Sequence, residues 1–313
     1  MSRVFPSEAW RRVSYQWQLA AMLAPYALGL LVLVGLPVLL AAPVAFTQFD
    51  ALSPPEPVGF ANFAEFLQDS HFWDGLRASI ILVVIAVPLR VAGALTLALL
   101  LQASGRGFTL LRGIAYLPTI IPDVAYALVW LYIFNPLYGP LNGLSQVFAS
   151  GREVEFVPTG TVPGIWLSDP RAAQVAVIIM LLFTVGEGFV LLLAALQEIP
   201  RELFDAAALD GASGDQQLRH VTLPLLAPSL LLLTLRDIVF SFQASFVAAV
   251  IVTHGNPYYA TSYLPFWIYR NAVEFGRLGY AAAMTWVLYG VTALIIGGLF
   301  WIARRWREVQ YAG

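Results

Sequence analysis

Six apolar runs, each at least as long as the roughly 20 residues a helix needs to cross a bilayer, constrain this chain more than anything else in it. They lie near residues 19–46, 78–101, 113–134, 174–195, 227–252 and 279–303. None alternates with the period of two that a barrel strand requires, and all run well past barrel-strand length. In hydrocarbon every backbone N–H and C=O must be satisfied inside the protein, so such segments become helices. Composition agrees: 59% of the 313 residues are hydrophobic and 12% charged, where a soluble domain carries about a quarter charged residues. The expected fold is an all-α integral membrane protein, a bundle of six transmembrane helices forming one domain over residues 1–313.

The basic residues are all arginine, and their placement predicts the direction of insertion. With the N-terminus inside, Arg3, Arg11, Arg12, Arg106, Arg112, Arg201, Arg219, Arg304, Arg305 and Arg307 are cytoplasmic. Outside are Arg77, Arg152, Arg171, Arg270 and Arg277, half as many. Cytoplasmic loops keep the excess of positive charge, so both termini are expected in the cytoplasm and the protein in the plasma (inner) membrane. A cleaved signal has an apolar core of about 7–15 residues; the first run is far longer and reads as a retained anchor. The external stretch 50–77 is rich in proline and acid, with an interfacial helix expected over 62–67. The longer one, 135–171, is punctuated by Gly, Pro and Ser, and neither is large enough for an independent domain.

Several chemistries are excluded. There is no cysteine, hence no disulfide, thiolate nucleophile or cysteine metal site. A P-loop requires a lysine on the nucleotide phosphates, and the chain has none, so it cannot be a conventional P-loop ATPase. Its energy must come from a partner or an ion gradient. His71, His220 and His254 sit in separate loops and make no metal-ligand pair. No serine stands in a nucleophile elbow and nothing resembles HExxH, so no catalytic or metal residue is assigned. The formal charge of -2 gives no reason to expect a nucleic acid partner.

The connector 197–224 carries the most specific signal. Pro200 can open a helix, Glu202 and Asp205 complement the dipole of its early turns, and Gly211 permits a sharp turn. A second short helix leads to Pro224, leaving Leu203, Phe204 and Leu209 available to a partner. Asp205-Ala206-Ala207, then Gly211, Val221, Leu223 and Pro224 stand at the spacings of Glu-Ala-Ala, three residues, Gly, nine residues, Ile, one residue, Leu-Pro. That pattern is the signature of permease subunits of binding-protein-dependent ABC importers, which this chain resembles, with Asp for Glu and Val for Ile. Ala24-Pro25, Phe60-Ala61-Asn62-Phe63, Leu117-Pro118, Phe134-Asn135-Pro136, Tyr138-Gly139 and Thr253-His254-Gly255-Asn256-Pro257 resemble its carbohydrate-uptake branch, the maltose and glycerol-phosphate type.

The resemblance implies that Leu203, Phe204, Asp205, Ala206, Ala207, Gly211, Leu223 and Pro224 form a coupling helix and its flank, seated on an ATPase. It also implies a second homologous permease as heterodimer partner, two ATP-binding subunits that hold ATP and Mg, and an external sugar-binding protein. Substrate would cross by alternating access. An ion-gradient carrier using Asp123 or Glu187 as a proton site is the rival from another class. Within the importer class, a polyol or glycerol phosphate could replace the sugar.

Charges inside the spans are functional candidates because burying them is costly. Arg90, Asp123, Glu187, Arg236 and Asp237 qualify. Arg90, Asp123 and Arg236 lie about eleven residues from the cytoplasmic ends of their spans, roughly 16 Å deep at 1.5 Å per residue. Arg90 with Asp123 is the expected structural pair, since spans two and three are joined by a short loop. Glu187 stands between two glycines expected to open space for substrate. With Arg236, Ser241, Phe242, Gln243 and Ser245 it makes the candidate substrate pathway, where polar groups and a ring suit a sugar. A Glu187–Arg236 pair that merely holds two helices together is the alternative. Arg236 and Asp237 are sequence neighbours expected on different faces, and Phe240 and Phe246 are expected to pack.

Overall fold

The structure, a computed structural model, describes residues 15–135, 139–141 and 165–311. Most of the stretch 135–171, including Arg152, and the arginines Arg3, Arg11 and Arg12 lie outside the described residues, as do Pro136 and Tyr138 and the side chains of Arg305 and Arg307. Helix α1 (Trp17–Val44) is followed by a hairpin of β1 (Thr47–Gln48) and β2 (Glu56–Pro57), then α2 (Ala61–Gln68) and α3 (Ser70–Leu100). Next come α4 (Arg106–Ile120), α5 (Asp123–Ile133), the short α6 (Ile165–Ser168), α7 (Pro170–Leu182), α8 (Gly186–Gln197) and α9 (Arg201–Leu209). The described chain ends with α10 (Gly214–Thr253), α11 (Leu264–Tyr269) and α12 (Leu278–Arg304).

Among the described residues four helices, α1, α3, α10 and α12, are each long and apolar enough to cross a membrane. The stretch expected as a straight third span is instead bent by 98° between α4 and α5. Pro118 and Pro122 bracket that break, and Ile121 before Pro122 is extended at ψ 129°, as the ring of a following proline demands. The fourth stretch bends by 43° between α7 and α8, at Phe183–Val185, where no proline stands. If each bent pair is one span, the described residues hold up to six.

The chain divides into two compact units, Met1–Ala64 with Asn271–Trp286, and Glu65–Arg270 with Val287–Gly313. In the first, Asn62 is buried and its side-chain amide donates to Ala45 O and Thr47 O, both at 2.9 Å. The rings of Phe46, Phe60 and Phe63 cluster beside it at 5.1 to 5.7 Å. Asp50 accepts the backbone N–H groups of Leu52 and Ser53 at the hairpin tip, which holds its carboxyl below the usual aspartate range.

In the second unit α3 is the central element, capped at its start by Asp69, whose carboxylate accepts His71 N–H at 2.9 Å. At its far end the Arg112 guanidinium donates to Leu101 O, Gln102 O and Ala103 O, the carbonyls of the residue that caps the helix and of the two that follow it. One apolar cluster joins Leu82 and Ala86 of α3 to Trp130, Val177, Met180 and Ala249. A second joins Ala94 and Ala98 to Phe189, Leu192, Leu226 and Leu233. Between them, where Arg90 sits, the packing becomes polar.

Candidate functional site

Arg90 of α3 is 2% exposed. Its Nη2 lies 3.8 Å from Asp237 Oδ1 and donates to Thr184 O at 3.0 Å. Thr184 lies in the break between α7 and α8, where regular helical hydrogen bonding lapses, so the arginine serves a carbonyl at the bend. Asp237 of α10 is equally buried and also accepts from Arg236 Nη1 at 3.2 Å. Arg236 Nη2 pairs with Glu187 Oε2, in the first turn of α8, where a carboxylate complements the helix dipole. The Phe240 ring lies 4.3 Å from Arg90 Cζ and 5.6 Å from Arg236 Cζ, within the range of a cation–π contact. Two arginines and two carboxylates thus form one chain, Glu187–Arg236–Asp237–Arg90, with no net charge. Its Arg90 end is sealed, whereas the side chains of Arg236 and Glu187 stay 36% and 48% exposed.

Two expectations change here and one holds with an addition. Arg90 does not pair with Asp123: Asp123 opens α5 and is exposed, while Arg90 is buried against α10. Depth along two spans matched, but rotation about the helix axis decides contact, and depth carries no information on it. Arg236 and Asp237 lie on different faces of α10 as expected, one half-exposed and one buried, yet they join one cluster, because the long Arg236 side chain reaches back to the inward carboxylate. The glycines beside Glu187 do not open a space. A Cβ on Gly186 would stand 2.9 Å from Thr119 Cγ2 and 3.0 Å from Tyr116 Cα, and one on Gly188 2.9 Å from Leu233 Cδ1. They are glycine so that helices can approach.

The other pathway candidates separate onto two faces of α10. Ser241, Phe242 and Ser245 are buried inside the chain's own packing, and Ser245 Oγ donates to Phe242 O at 2.7 Å. Gln243 is exposed, as are Leu232 and Val239, so residues 232, 236, 239 and 243 follow one helical stripe. Phe240, expected only to pack, is a working member of the cluster. Its position three and four residues beyond Asp237 and Arg236 was the available signal.

The connector folds as one short helix, α9, followed by the first turns of α10, which runs on without a break through Pro224 in place of the separate second helix expected. Pro200 precedes α9 in extended conformation, at φ -59° and ψ 135°, and Gly211 turns the chain at φ 82°. Ser213 and Gln216 form a reciprocal capping box at the start of α10. Leu203 and Leu209 are exposed, Leu209 to 89%, and Phe204 is half-buried. Asp205 and Ala206 are exposed and Ala207 half-buried; Leu223 and Pro224 follow within α10.

The family described as "Binding-protein-dependent transport system inner membrane component" matches residues 91–308. The probable ABC transporter permease protein YesP of Bacillus subtilis (strain 168) is 29% identical over 91% of this chain and 90% of its own length. The trehalose/maltose transport system permease protein MalF of Thermococcus litoralis is 28% identical, over 85% of this chain and 88% of its own. A chain from the crystal structure of a bacterial ABC transporter that imports alginate shares the fold at TM-score 0.74 and 20% identity, covering 95% of this chain and 98% of that one. A family match over well more than half of the sequence, on a chain of apolar helices, settles membership: the chain belongs to the inner membrane components of binding-protein-dependent transport systems.

Proposed function

We propose that this chain is the permease subunit of an ATP-driven importer that moves a sugar, delivered by an external binding protein, by alternating access. It acts as one transmembrane domain of six spans, both bent pairs crossing as single spans, with both termini in the cytoplasm. A second homologous permease completes the pathway, and two partner subunits bind and hydrolyse ATP with Mg. The chain itself performs no covalent chemistry. The sugar assignment draws on the name of the Thermococcus relative and on the mixture of amide, ring and paired charge along α10.

One observation supports the pathway above the rest. The Glu187–Arg236 pair is about half exposed on helices apolar enough for hydrocarbon, where a charge costs about 2.5–3.5 kcal/mol even on translocon scales. Lipid is therefore a poor cover, and water with a second permease is a good one. At the cytoplasmic end, exposed Leu203 and Leu209 on α9 suit a groove on the ATPase, which supports reading α9 through Gly211 as the coupling element. Affinity purification from native membranes tests the proposal directly. A P-loop ATPase and a second six-span subunit should be recovered with the chain. Recovery of the chain alone, in detergents that hold known complexes, would favour the gradient-driven carrier.

A further inference from the structure

Asp237 is contested. Arg90 approaches its Oδ1 from α3 and Arg236 from the preceding position on α10, while Arg236 also serves Glu187. In a sealed apolar site a carboxylate that loses its cation must find another or leave its ionised form. The nearest replacement for Arg90 is Arg236, already in contact. From this geometry we propose that Arg90 is a positioning residue: by sharing Asp237 with Arg236 Nη1 from behind, it leaves Arg236 Nη2 to hold Glu187 at the exposed end of the cluster.

Three observations carry the proposal together. Arg90 is fixed independently of Asp237, by its bond to Thr184 O and by the Phe240 ring over its guanidinium. It is therefore held in place and not merely drawn there by the carboxylate. The four charges balance, so removing one cation leaves two carboxylates for one arginine. Exposure is graded along the cluster, from 2% at Arg90 to 48% at Glu187, so a change at the sealed end is felt at the open one. Arg90 touches no substrate on this reading; it sets the pair that does.

The inference deepens the pathway assignment of Glu187, and its test is chosen to need no transport. Membrane vesicles carrying the full chain with its partners are treated with dicyclohexylcarbodiimide, an apolar reagent across whose C=N bond a protonated carboxyl group adds, the form favoured for a carboxyl in apolar surroundings that has lost its cation. Adducts are then quantified at Glu187 by peptide mass spectrometry. In the native chain Glu187 labelling should be low. Arg90→Met should raise it several-fold as Arg236 is drawn to Asp237. Adding Asp237→Asn, which removes the competing carboxylate, should return it to the native level, and Asp237→Asn alone should leave it low.

Unchanged labelling in Arg90→Met, or a double variant labelled as heavily as the single one, overturns the proposal. If Arg90→Met is not recovered in the membrane, the double variant decides: recovery with native-level labelling supports the inference, and renewed loss or high labelling overturns it. The pathway reading stands or falls separately, on whether Glu187→Gln alters substrate affinity in uptake.

Discussion

Gly186 and Gly211 are glycine for opposite reasons. At Gly186 the backbone is ordinary and the space is not, with Thr119, Ala115 and Tyr116 all within about 3 Å of where a Cβ would stand. At Gly211 the space is open, with no neighbouring atom within 4 Å of such a Cβ, but φ is +82°, a region that β-branched residues avoid. Valine at the two positions should therefore fail differently. Gly186→Val should destabilise the fold by about 1–3 kcal/mol through overpacking, seen as a lower thermal unfolding midpoint of the purified complex. Gly211→Val should leave that midpoint nearly unchanged and instead weaken retention of the ATPase subunit, since its strain of about 1–2 kcal/mol stays in the connector. Equal midpoints for both variants would contradict the crowding argument at Gly186.

Helices were legible from the sequence wherever one property ran uninterrupted. Hydropathy marked α1, α3, α10 and α12, and the Pro200–Gly211 punctuation marked α9, because those signals act locally. The bends were less legible. Pro118 and Pro122 could have announced the first, but the second, at Phe183–Val185, has no proline, and its Thr184 carbonyl is met by an arginine ninety-four positions away in sequence. The split of α10 into a buried row with Ser241 and Ser245 and an exposed one with Arg236 and Gln243 depends on which helices surround it, and a nearly uniform apolar sequence does not record that. The exposure of α9 leads to its own prediction. Leu209 supports nothing inside the chain, so Leu209→Asp should change stability by no more than about 0.5 kcal/mol. ATPase recovery in pull-downs should fall about tenfold, or about 1.4 kcal/mol. Normal ATPase recovery at normal expression would remove α9 from the coupling role.

Taken whole, the molecule offers an unusually clean test of its own topology, because it contains no cysteine. Single cysteines at Ser213 in the connector and at Tyr258, 86% exposed in the loop after α10, can be challenged with an impermeant maleimide in right-side-out vesicles. Tyr258→Cys should label at once, and Ser213→Cys only after the membrane is opened. The reverse pattern would invert the arrangement read from the arginines. The balanced cluster around Asp237 also has a bearing on descent. Positions 90 and 237 stand 147 residues apart in the chain, yet losing Asp237 strands the Arg90 charge in an apolar interior, and losing Arg90 leaves Asp237 and Glu187 to share Arg236. A lineage that discards one must soon discard its counterpart, so the two are inherited as one character, and homologues should keep both or neither.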